Sequence, residues 1–117
     1  MVITDAGLET ISNVIGGSGA VPGWIGIGSG TTAALVTDTT LEHETDRNSV
    51  TTTDITIPKN VTWIADFSST EISGLTFTEF GLFNSGAGGD MFHRQVVGSI
   101  AFEGDRELQV QTTFKFF

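Results

Sequence analysis

The sequence predicts a mainly β fold, a small antiparallel β-sandwich with one N-terminal α-helix. Three observations lead there. From Trp24 onward apolar residues recur at every second position, the period of a half-buried strand. Helical spacing occurs once, near the start of the chain. Turns rich in Gly, Asn and Asp separate the alternating runs, and no βαβ alternation is present. The 117 residues make one domain (1–117), with a helix at about 4–15 and a β-rich part over 24–117. Nine Phe and two Trp supply one core. The 15 Gly and 2 Pro stay below the roughly 25–30% that marks low-complexity chains.

The helix is predicted over residues 4–15 because Leu8, Ile11 and Val14 or Ile15 recur at helical spacing and Thr4 or Asp5 can cap the first turn. Gly16 and Gly17 stop it, and residues 16–23 read as a mobile connection. Trp24 to Gly28 is a short apolar strand whose glycines let another backbone come close. Residues 31–46, rich in Thr, Ala and Asp with Leu41 as the apolar anchor, read as a long surface loop with one helical turn. Residues 47–57 are β-branched and end at the turn Pro58-Lys59-Asn60, so a strand and hairpin are expected. Val61, Trp63, Ala65 and Phe67 then put one face of the next strand into the core. Residues 77–83 and 91–100 form a second hairpin across a glycine-rich turn. Leu108, Val110, Thr112, Phe114 and Phe116 share one face of a last strand, within which the chain ends. Phe114-Lys115-Phe116-Phe117 would be an aggregation hazard as an open edge, so it is expected to be covered.

Charge excludes whole classes of partner. Five Lys+Arg against 14 Asp+Glu give a net charge of −9, so neither nucleic acid nor an anionic membrane is expected to be bound. With no Cys there is no disulfide framework, thiolate nucleophile or Cys-based zinc site. The first residues lack a basic n-region and no apolar run reaches the ~18 residues of a membrane span, so a protein made in the cytoplasm without a signal peptide is expected.

No catalytic constellation emerges, and the chain reads as a non-enzyme. His43, Glu44 and Asp46 crowd three metal-ligating types into four residues, but the plainer reading is a solvated acidic loop; no cofactor is expected, a structural cation at that loop being the open alternative. Gly26-x-Gly28-x-Gly30 imitates part of a dinucleotide fingerprint, yet no amphipathic helix follows it. Glu71 and Glu79 could pose as paired carboxylates of a glycosidase only if they faced one cleft. His93 reads as a surface or interface histidine. Arg47, Glu79 and Arg94 are few charges at strand positions in a low-charge chain. Glu79 is expected to pair with Arg47 or Arg94, the alternative being three exposed, independent charges.

The order of three blocks resembles the virion-attaching N-terminal domain of tailed-virus fibre and baseplate proteins, the tail-collar fibre family. The blocks are Trp24-Ile25-Gly26-Ile27-Gly28-Ser29-Gly30-Thr31-Thr32; then Thr37-Asp38-Thr39-Thr40-Leu41-Glu42-His43-Glu44-Thr45-Asp46-Arg47; and Thr78-Glu79-Phe80-Gly81-Leu82-Phe83-Asn84 with Gly89-Asp90-Met91-Phe92-His93-Arg94. The likeness covers nearly the whole chain and lacks the shaft and receptor-binding tip of such fibres. It implies a structural virion protein at the tail, baseplate or fibre attachment point. A capsid decoration or turret protein on the head surface shares the same features. A carbohydrate-binding module for host attachment, stacking sugars on Trp24 or Trp63, is the further alternative. Expected partners are copies of itself, a trimer for preference because rings bury strand edges, and other virion proteins. Leu8, Ile11, Phe92, Phe114, Phe116 and Phe117 are the interface candidates. The acidic composition would also suit a virus of a salt-loving host.

Overall fold

In the computed structural model, which describes residues 1–117, two antiparallel sheets face one another across a shared core. The strands are β1 (Val2–Ile3), β2 (Trp24–Gly28), β3 (Glu44–Ser49), β4 (Thr52–Asp54), β5 (Asn60–Phe67), β6 (Thr76–Phe83), β7 (Met91–Ala101) and β8 (Leu108–Lys115). One sheet runs β1-β7-β6-β2-β3 and the other β4-β5-β8. Ile25, Ile27, Leu82 and Phe92 of the first meet Trp63, Ala65, Phe67, Val110 and Phe114 of the second. Trp63 and Phe114 pack edge to face with ring centroids 5.1 Å apart, a geometry the aromatic quadrupole favours.

The single helix, α1 (Asp5–Ile15), begins where the sequence places its cap. Thr4 Oγ1 accepts the Gly7 N–H at 3.0 Å, and the Asp5 N–H donates to Val36 O at 2.8 Å, tying the helix start to the long loop. Gly16 ends it. That long loop, 29–43, contains no helical turn and lies over the outer face of the five-stranded sheet. Both faces of β6 are therefore buried: Phe80 and Leu82 look into the core, while Phe83 joins Leu41 and Met91 in a second apolar cluster outside. This explains why β6 reads as a nearly continuous apolar run.

The stretch 47–57 is not one strand. β3 starts earlier, at Glu44, and belongs to the five-stranded sheet, whereas β4 belongs to the other. The chain changes sheets at one step: the Val50 N–H donates to Gly23 O at 2.9 Å and the Thr51 N–H to Ile64 O at 2.8 Å. Val50 drops onto the core there, and Ile55 and Ile57 point to solvent. The last strand ends at Lys115, although the Phe116 N–H still reaches Lys59 O at 2.8 Å. Three of the interface candidates sit differently from expectation. Phe92 and Phe114 are core residues, because α1 and the facing sheet close over the positions that strand periodicity alone leaves open; Ile11 is half-buried against the same core.

Candidate functional site

Register places the chain's rare charges in two rows across the five-stranded sheet. Arg94 lies opposite Gly81, Gly81 opposite Gly26, and Gly26 opposite Arg47, so two arginines flank two glycines on one face. In the adjoining row Glu79 lies opposite Gly28 and Gly28 opposite Glu44. Each arginine thus has a carboxylate on the diagonal, within reach of a long side chain.

The Glu79–Arg94 half is closed. Arg94 Nε donates to Glu79 Oε1 at 2.9 Å, both side chains being almost wholly buried. Three backbone N–H groups of the covering loop complete the carboxylate: Gly30 at 2.6 Å, Glu42 at 2.9 Å and His43 at 2.8 Å. Burial alone would raise the Glu79 pKa; the donors of His43, Arg94, Glu42 and Gly30 outweigh it, and the carboxyl stays below its ordinary range. Arg94 Nη1 also reaches Asp38 Oδ2 at 3.2 Å, and the two carboxylates hold its pKa up against desolvation. Glu42 finishes the loop by accepting the Thr31 and Thr32 N–H groups and the Thr32 hydroxyl, which hold its pKa at about 2. A carboxylate so fully engaged has no lone pair free for proton transfer. Glu71, the other half of the supposed acid pair, accepts from Asn48 Nδ2 and the Ser68 N–H and shares no partner with Glu79.

The Arg47 half clamps the hairpin turn instead. Arg47 pairs with Glu44 at 2.6 Å, places its guanidinium 3.5 Å from the Phe83 ring centroid, and donates to Ser85 O and Gly88 O at 2.9 and 2.8 Å. Arg47 therefore does not meet Glu79. His43, Glu44 and Asp46 do not converge on a metal either: Glu44 turns to Arg47, Asp46 accepts the Arg47 N–H at 2.8 Å, and His43 contributes its backbone.

The glycines of the first block make room for this arrangement. A Cβ on Gly28 would sit 2.2 Å from His43 O, and one on Gly30 would sit 2.3 Å from Glu79 Oε2. Gly28→Ala is expected to destabilise the fold by about 1–3 kcal/mol, the ordinary cost of overpacking. Gly98→Ala, with nothing within 4 Å, is the control and should be neutral or slightly stabilising. Equal urea midpoints for the two variants would contradict the assignment.

His93 is fully buried, with Nε2 3.0 Å from Thr112 Oγ1, Nδ1 without a partner, and Phe80 and Phe114 edge-on to its ring. It is neither a surface nor an interface residue. Trp63 is in the core, and Trp24 is part-buried, packed beside Gly86 and against the Leu41, Phe83, Met91 cluster.

What remains open is an apolar strip where α1 meets the end of β8. Leu8 and Phe116 are about half exposed, at 53% and 52%, and Phe117 is fully exposed. Ile11 lies between two apolar grooves of about 190 and 380 Å³, one reaching Trp63 and Phe92, the other Met1 and Phe117. No helix is long and apolar enough to cross a membrane. Comparison of the chain with protein-family models, curated proteins and solved structures gives no match.

Proposed function

We propose that this protein is a structural component of a tailed-virus particle, a tail, baseplate or fibre-attachment module that associates with copies of itself and with other virion proteins. The observation that carries the reading is the exposed apolar strip of Leu8, Phe116 and Phe117 on a domain whose Glu79–Arg94 pair is buried. Apolar area of this kind marks protein contact rather than catalysis. The ordered blocks of sequence add support, since each is spent on pinning a loop or hairpin to one sheet, as a rigid assembly unit requires. The burial of Trp63 and the packing of the part-buried Trp24 against Gly86 disfavour sugar stacking.

Gold-labelled antibody against the purified chain tests this on virus particles from cells that encode it. Label confined to the tail end is the expected result. Label spread over the head would replace the tail assignment with capsid decoration, and unlabelled particles would remove the virion reading altogether.

A further inference from the structure

The open edges of the two sheets are not alike. β3 carries Glu44, Asp46 and Arg47 among its six residues, and charge discourages strand addition. β4 is only three residues long. The five-stranded sheet ends on β1, which covers Arg94 and His93; beyond them β7 shifts its register on β6 between Val96 and Ile100, and such bulges twist an edge out of reach. β8 has none of these devices. It pairs in unbroken register with β5 from Asn60↔Lys115 to Phe67↔Leu108, has no strand on its other side, contains no Gly or Pro, and its one charge is the terminal Lys115.

We infer that β8 is the docking edge for a second copy of this chain, two β8 strands pairing antiparallel about a twofold axis at Gln111. The inference rests on the self-association in the reading above. The direction of the backbone supports it. Because the Phe116 N–H points to β5, alternation turns the N–H and C=O of Gln109, Gln111, Thr113 and Lys115 to the free side.

The register follows from which residues can lie opposite one another. Antiparallel partners share a face, so odd-numbered residues must meet odd-numbered ones. Centring on Gln111 sets Gln109 opposite Thr113 of the second copy on the solvent face and Phe114 opposite Leu108 of the second copy on the core face. It also sets Lys115 opposite Glu107 of the second copy, twice by symmetry, and both side chains are exposed and without a salt-bridge partner within the chain. Sliding the pairing by two residues in one direction brings Lys115 against Gln109; in the other Lys115 meets Asp105 in the bend before β8, and only residues 108–112 pair strand to strand. An isologous contact of this kind continues the three-stranded sheet into six strands and leaves the α1 strip free for other virion partners.

Sedimentation equilibrium and amide exchange on the full chain test the inference. The wild type is expected to dimerise, with the Gln109, Gln111 and Thr113 amides protected although nothing within one copy bonds them. Glu107→Lys and Lys115→Glu should each weaken the dimer roughly tenfold by placing like charges opposite, and the double exchange should restore it. Gln111→Pro, which removes an edge-facing donor and leaves the β5 ladder intact, should abolish it. A monomeric wild type, or an oligomer indifferent to both single reversals, overturns the inference. The charge exchange keeps the test valid should the proline variant misfold. Particle labelling is read separately: a β8 dimer with unlabelled particles sinks only the virion reading, and labelled particles with a monomeric chain sink this inference together with the self-association while the virion reading stands.

Discussion

Glu79→Ala is expected to cost about 3–5 kcal/mol, the usual result of removing one partner from a buried ion pair. At roughly 4 °C per kcal/mol for a domain of this size, the thermal midpoint should fall by about 12–20 °C. The loss is large because four donors are orphaned together: the Arg94 guanidinium and the N–H groups of Gly30, Glu42 and His43. Glu79→Gln should cost less, since an amide oxygen can keep some of these bonds, although its NH₂ would oppose a donor. Circular dichroism melts of both variants check the ordering, and an unchanged midpoint for Glu79→Ala would show that the carboxylate does not hold the loop.

Acid is expected to destabilise the protein through His93. Its pKa is lowered from 6.5 to about 4, first by burial and then by the Met1 ammonium. The folded state thus resists protonation where the unfolded chain accepts it. The resulting stability is fully present above pH 6.5 and is lost as pH falls toward 4, about 3 kcal/mol in all. Urea denaturation of the wild type and His93→Gln at several pH values isolates this contribution from that of the carboxylates. The wild type should lose about 3 kcal/mol more than the variant across the window, and parallel profiles would refute the assignment.

The sequence made some features of this fold legible and hid others for identifiable reasons. β5 and β8 were readable because alternating side chains bury one face, and α1 because three apolar residues share a helical stripe with a threonine cap. The split into β3 and β4 was not readable. Both are polar, Glu44–Ser49 and Thr52–Asp54, and they are placed by backbone bonds to β2 and β5 at a crossing that Val50 marks with no special residue type. For Phe114 periodicity gives the side but not what covers it; Phe92 and His93 are adjacent residues that a strict period of two sends to opposite faces, and the register shift between Leu82 and Phe83 turns both inward. The charges Arg47, Glu79 and Arg94 stood out by scarcity. Choosing Arg94 over Arg47 as the partner of Glu79 needed the register that sets Arg94 opposite Gly81, two residues along from Glu79 on the same face. The glycine spacing in Gly26-x-Gly28-x-Gly30 was the available signal for the buried carboxylate, since a side chain at the second or third position would occupy its space.

The Glu79 carboxylate joins backbone groups as many as 49 positions away along the chain. Contacts that close so much intervening polypeptide are expected to form late in folding, and so to act chiefly on the rate of escape from the native state rather than on the rate of reaching it. Loss of this carboxylate should therefore accelerate unfolding in stopped-flow traces far more than it delays refolding. A domain whose escape is slowed in this way is expected to persist longer once folded.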